Sequence, residues 1–345
     1  MLSGFMYFKK WWIMFNRSLI CSSDHWSMRT RRGIANTAIA VVACLLGVAF
    51  VFVFNNKSDD EGVLTPTSAT AEVETSVIEA VQPRIASLLP FAVDQLIAMG
   101  IEPVCVPGLR GLAPESWSGI PTVQLDHSAG PNLEQLIAVD PDYIVTGSIY
   151  AQFMPQIAEV TGAEVIMMDV ESVNSVMEHI RTLGEIAGKS VEADLVASDL
   201  ASRITAPVTV PEDQQINVLA IFGTPHSFYA FLPDTYLGDL VSHAGGRMGP
   251  DGLVSHKVYR GLAPLTMETV IEFDPDLLMV LFHGPAETSR AMFEGDPLWS
   301  SLRAVSEDRI CFLSDDLYAM RPGSRVDEAL VQVREYVANV ADRMQ

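Results

Sequence analysis

Cysteine is scarce: the chain has four in 345 residues, Cys21, Cys44, Cys105 and Cys311. None lies in a CxxC pair. Cys105 and Cys311 fall in apolar, strand-like runs, so the pattern predicts two buried free thiols and excludes a disulfide framework, a cysteine zinc site and cysteine-ligated cluster chemistry. Walker A, GxSxG and HExxH motifs are missing as well, which removes the commonest phosphate, acyl-transfer and zinc-hydrolase machinery. The chain reads as a non-enzyme with no permanent cofactor. Basic residues are also scarce beyond the N-terminus. Residues 1–57 hold seven Lys/Arg and one acid, leaving 15 basic and 42 acidic residues in 58–345, a charge of −27. A body that acidic repels phosphate backbones and excludes nucleic acid as a partner.

One long apolar run is present, "IANTAIAVVACLLGVAFVFVF", residues 34–54. At 1.5 Å per residue it would span about 30 Å as a helix, the thickness of a bilayer's hydrocarbon core. Arg29, Arg31 and Arg32 precede it and "NNKSDDEG" follows, so residues 1–33 are expected in the cytoplasm and the acidic body outside. An uncleaved membrane anchor is the favoured reading, and a signal peptide is the competing one. "VVAC" resembles a lipobox that would lipidate Cys44, but ten apolar residues follow it. Residues 55–82 are polar and rich in Ser and Thr, the composition of a linker.

From Pro83 onward, strand-like and helical patterns alternate, which predicts α/β architecture with parallel sheets covered by helices. "SVEADLVASDLASRITAP" has one apolar face and a proline stop, as expected of a long connecting helix over 189–207. It separates an N-terminal lobe, 83–188, from a C-terminal lobe, 208–345. A repeat supports two similar lobes: "NLEQLIAVDPDYIV" from Asn132 and "TMETVIEFDPDLLM" from Thr266 align without a gap. Each reads as N-cap, helix, Asp-Pro-Asp turn and strand. The fold class is therefore two Rossmann-like lobes joined by a single long helix, with a cleft between them, preceded by the membrane or signal segment.

The stretches "PRIASLLPFAVDQLIAMGIEPVCVP", "GPNLEQLIAVDPDYIV", "YLGDLVSHAGGRMG", "METVIEFDPDLLMV" and "DPLWSSLRAVSEDRICFL" occur in this order. Together they resemble the iron-complex substrate-binding proteins of ABC importers, which carry ferric siderophores, heme or cobalamin. The resemblance covers roughly residues 83–340, a size suited to a two-lobed domain. It implies a helical-backbone periplasmic-binding-protein fold with the ligand at the C-terminal ends of the strands. It also implies a monomer that delivers its ligand to a permease dimer, with Glu134 and Glu268 docking onto permease arginines. On physical grounds alone, a glutamate in a first helical turn also favours the helix dipole.

"FHGPAETSRAMFEGDPLWSSLRAV" resembles most the Gram-positive heme-receptor lipoproteins, and that likeness makes His283 an axial ligand of heme iron. The methionine expected on the opposite face corresponds to Ala129, and His127, two residues earlier, is the candidate replacement. A neutral imidazole suits heme iron, although a lone strand-end histidine is more often a polar cap. His226, Tyr236, Tyr259, Arg260 and Arg110 are further ligand-binding candidates from loops, and Trp117 and Arg321 lie in similar segments. Arginines and aromatics would equally suit an anionic siderophore, so heme and ferric siderophore both stay open. A receptor for a bare metal ion would need three or four converging His, Asp or Glu ligands.

Overall fold

A computed structural model describes residues 82–108, 113–257, 259–283, 286–323 and 325–344. The anchor run 34–54 with Cys44, nearly all of the linker 55–82, and Arg110 lie outside the described residues. Among those described, no helix is long and apolar enough to cross a membrane.

The N-terminal lobe runs β1 (Ile85–Ser87), α1 (Pro90–Ala98), β2 (Val106–Pro107), β3 (Thr122–Val123), β4 (Leu125–Asp126), β5 (Gly130–Pro131), α2 (Leu133–Ala138), β6 (Tyr143–Thr146), α3 (Met154–Thr161), β7 (Glu164–Met167) and α4 (Val173–Ile186). Strands β1, β6 and β7 pair in parallel in that order. After α5 (Ser190–Arg203) the C-terminal lobe continues with β8 (Ile216–Thr224), β9 (Ser227–Phe231), α6 (Tyr236–His243), β10 (Gly246–Met248), β11 (Leu262–Pro264), α7 (Met267–Phe273), β12 (Leu277–Leu281), α8 (Ala286–Glu294), β13 (Ile310–Leu313) and α9 (Val326–Met344). Its six-stranded sheet has the order β11-β9-β8-β12-β13, with β10 added beside β8. Strands β8, β12, β13 and β10 are parallel, while β9 and β11 are antiparallel.

The repeat has a common structural basis. Asn132 and Thr266 each cap a helix, accepting from the backbone N–H of Gln135 at 3.1 Å and of Thr269 at 3.3 Å. Each helix is followed within two residues by an aspartate in the left-handed region, Asp140 (φ 43) and Asp274 (φ 40), which an Asp tolerates better than most residues. The second aspartate of each turn then locks its strand to a neighbour. Asp142 accepts from Arg84 N at 2.7 Å and returns its own N–H to Arg84 O at 2.8 Å. Asp276 does the same with Asn217, at 3.0 and 2.9 Å.

The expected connecting helix is shorter than its pattern suggests. It ends at Arg203, four residues before Pro207, and residues 204–215 complete the crossing. α4 and α5 pack against each other as a helical hairpin: Gly184 of α4 meets Ala193 of α5, with no room for a Cβ on the glycine. Both helices belong to one hydrophobic cluster that also takes in Ile85 and Leu96 from the first lobe and Val218, Leu240 and Leu330 from the second. Each fully buried side chain of this kind contributes roughly 1.5–3 kcal/mol. Polar links add to this joint: Asp239 of α6 accepts from Val173 N at 2.7 Å, and Arg321 reaches Asp94 of α1 at 3.4 Å.

Candidate ligand site

Three neighbouring parallel strands, β8, β12 and β13, deliver the site's main side chains at their C-terminal ends. In an open parallel sheet, that end forms the natural binding crevice. Leu281 pairs with Leu313, and His283 and Asp315 each lie two residues further along. The register therefore sets the two side by side, and His283 Nδ1 lies 2.8 Å from Asp315 Oδ1. A carboxylate only accepts, so Nδ1 carries a proton, and in the neutral imidazole the lone pair is on Nε2. Phe222, near the end of β8, meets the imidazole edge-on with ring centroids 5.0 Å apart. The His283 side chain is 45% exposed, and its acceptor nitrogen belongs to a residue that solvent or a ligand can reach. Gly284 and Pro285 lie outside the described residues.

The aromatic surface continues across the sheet. Phe222 pairs directly with Tyr229 of β9, and opposed residues of antiparallel strands project to the same face. Tyr229 in turn meets the rings of His256 at 5.7 Å and Tyr259 at 5.8 Å, and those two stack on each other at 5.0 Å. Tyr259 N–H donates to His256 Nδ1 at 3.2 Å, which places that imidazole's neutral-state proton on Nε2, the reverse of His283. Tyr229 and Tyr259 are half-buried, while Arg260 beside them is exposed. Burial, with Tyr229 nearby, raises the Tyr259 phenol above its ordinary range.

His127 is exposed at the tip of the β4–β5 hairpin, in the three-residue loop 127–129 that also contains Ala129. Asp126 Oδ1 builds this loop, accepting from Ser128 Oγ at 2.6 Å, Ser128 N at 2.7 Å and Ala129 N at 2.8 Å. The Ser128 hydroxyl first, and then these backbone donors, hold the Asp126 carboxyl below its usual range. The His127 ring lies nearly parallel to Tyr150, 6.1 Å away. Tyr150 sits beyond the C-terminal end of β6, so His127 belongs to the same end of the first lobe's sheet.

Other candidates are placed differently from the loop positions expected. Tyr236 is the first residue of α6 and is buried, packed in the main core, because its helix turns it inward. Burial drives its phenol well above the ordinary range. His226 occupies the tight turn between β8 and β9, a strand absent from the sequence reading. Its side chain is 85% exposed and lies 3.8 Å from Asp296. Trp117 is buried and donates its indole N–H to Asp94 Oδ1 at 3.0 Å, so it braces α1. Arg321 is held by two 2.7 Å bonds to Asp316 and by the 3.4 Å contact with Asp94.

Asp315 and Tyr229 had no role in the sequence reading. The signal for Asp315 was its position in "FLSDD", two residues beyond the strand that pairs with β12. Among the described residues, no group of three or more His, Cys, Asp or Glu side chains is arranged to hold a metal ion. Among the described residues, His283 lines neither of two cavities of about 430 and 410 Å³. One lies beside Asp94 and Gly323, the other along the free edge of β13.

A model of periplasmic binding proteins matches residues 85–317, more than half of the chain. The chain belongs to that family. The heme uptake protein IsdE of Staphylococcus aureus is 21% identical over 226 residues, covering 64% of this chain and 75% of IsdE. A solved ABC-transporter substrate-binding protein from Listeria monocytogenes superposes with a TM-score of 0.64 at 23% identity, covering 75% of this chain and 99% of that one. The S. aureus IsdE structure with heme gives 0.60 at 18%, over 74% and 99%. The siderophore-binding protein BauB, solved with acinetobactin and ferric iron, gives 0.54 at 20%, over 75% and 94%. As a periplasmic binding protein, the chain is a substrate-binding protein rather than an enzyme.

Proposed function

We propose that this chain is the heme receptor of an ABC importer, with His283 as axial ligand to the heme iron. The observation that carries the reading is the bond from His283 Nδ1–H to Asp315 at 2.8 Å, which orients the ring and leaves Nε2 as a donor to iron. Metal-bound histidines are commonly braced in this way by a carboxylate on the other nitrogen. Phe222 and Tyr229 offer flat apolar surface next to it, suited to a porphyrin face. His127 is the candidate ligand from the opposite lobe, in the loop where the heme-receptor pattern has its methionine. The distant likeness to IsdE points the same way.

In this reading the run 34–54 tethers the receptor outside the membrane, with lipidation at Cys44 as the alternative, and the receptor acts as a monomer. Glu134 and Glu268, both exposed, dock it onto arginines of the permease dimer. Function is capture and release, with the shared core of both lobes limiting closure to a small rotation.

A ferric siderophore is the second reading, favoured by the Tyr229–His256–Tyr259 cluster, whose rings suit flat catechols, with Arg260 beside it for an anionic chelate. Titration of the purified protein with hemin separates the two. A sharp Soret band that disappears in His283→Ala supports heme. Absence of the band, with tight binding of a ferric catecholate, reverses the order.

A further inference from the structure

The two copies of the repeat match in exposure as well as in sequence. Residues 132–139 and 266–273 fall in the same burial class at all eight positions. Leu136 and Val270 are buried at the centre of each helix, and Glu134 and Glu268 stand exposed in its first turn. One turn further along, each helix exposes an isoleucine: Ile137 is 49% exposed and Ile271 48%. Residues three apart share a helix face, so each lobe presents an acid and an isoleucine side by side.

Single exposed apolar residues are ordinary on protein surfaces. A β-branched residue repeated at the same place in both lobes, equally exposed and beside the same acid, is not explained by that background. Neither isoleucine belongs to a core cluster or its partly buried surroundings. Two like patches fit a partner with two like sockets, which is what a two-subunit permease offers. The charge of −27 on residues 58–345 favours association with a cationic partner surface.

We propose that Glu134–Ile137 and Glu268–Ile271 are paired docking patches, in which the isoleucines fill apolar sockets of the importer's permease dimer and the glutamates meet cations at the socket rims. The division of labour follows from interface physics. Desolvated apolar anchors at the centre hold a complex, and rim charges steer it and are screened by salt. The proposal rests on the docking reading above and adds its main energetic component.

The test uses the full chain and the two-subunit heme-importer permease of its host, reconstituted in lipid nanodiscs. Affinity is measured with and without hemin, in 0.05 and 0.5 M NaCl. The double variant Ile137→Ser/Ile271→Ser is expected to weaken binding at least tenfold at both salt concentrations. Ile137→Leu/Ile271→Leu should bind nearly as the unaltered chain does. Glu134→Gln/Glu268→Gln should weaken binding mainly at low salt. Val191→Ser/Leu195→Ser, on an exposed part of α5, should leave it unchanged and serves as the control for nonspecific loss. Serine variants that bind within twofold of the unaltered chain would overturn the proposal. Failure of the unaltered chain to bind would overturn docking altogether. Hemin binding by the same preparations reports on the ligand reading separately.

Discussion

His283 Nδ1 and Asp315 Oδ1 lie 2.8 Å apart although 32 residues separate them in the chain. The pairing Leu281↔Leu313 makes this contact, since two steps beyond a parallel pair the side chains are neighbours again. The carboxylate fixes the tautomer that an iron ligand needs. Asp315→Asn should therefore lower hemin affinity by about 10–100-fold, the usual cost of losing such a brace, while keeping a Soret band. His283→Ala should abolish the axial spectrum. An Asp315→Asn protein with unchanged affinity would show that the contact merely caps a polar strand end.

The repeat was legible in the sequence because its signals are local. Caps, the helix period and the Asp-Pro-Asp turn all lie within fourteen residues, and the structure uses each of them in both lobes. The site was legible only in part. His283 could be singled out at the end of an apolar strand, but Asp315 becomes its partner only through the register of β12 with β13. β9 went unseen because "SFYAF" follows β8 after only two turn residues, Pro225 and His226. Without that strand, nothing in the sequence places Tyr229 beside Phe222, and His226 reads as the start of a post-strand loop rather than a two-residue turn. Tyr236 misled because its aromatic ring suits a ligand equally well on paper, and only helix orientation turns it into the core.

Tyr229 is the residue through which the aromatic surface passes from Phe222 to His256 and Tyr259. Tyr229→Ala should weaken hemin binding by about 2–10-fold, matching the ~0.5–1.5 kcal/mol that an aromatic contact adds. The Soret position should hold, since His283 is untouched. Tyr229→Phe should bind as the native chain does if the face of the ring matters, and less well if its hydroxyl does. Unchanged affinity in Tyr229→Ala would remove the residue from the site.

Arg321 lowers the pKa of Asp316, chiefly by hydrogen bonding to its carboxylate. A carboxyl lowered in the folded state stabilises the fold fully above its ordinary value of 3.8. That stability is lost as pH falls through the lower folded value. Both groups are partly exposed, so Arg321→Gln should cost on the order of 1 kcal/mol at pH 6. Urea midpoints measured from pH 6 down to pH 3 should show the difference between the two proteins shrinking toward acid. A constant difference would mean that Arg321 acts through packing rather than through a carboxylate.

α4 and α5 approach closely at Gly184, since a Cβ there would overlap that of Ala193 and stand 3.1 Å from Lys189 O. Helix propensity alone favours alanine over glycine by about 1 kcal/mol. Here the overlap should win, because the carbonyl is fixed and Ala193 is buried. We expect Gly184→Ala to destabilise by about 1–3 kcal/mol, the usual range for overpacking. Adding Ala193→Gly removes one of the two colliding atoms and should recover part of the loss, with an interaction energy between the two sites in the double-mutant cycle. Strict additivity in urea denaturation would show that the glycine is retained for some reason other than this contact. Because α4 and α5 share their core with both lobes, the same variant should also loosen the joint between the lobes. Hydrogen exchange in β8 and α4 should then accelerate together in Gly184→Ala and slow again in the double variant.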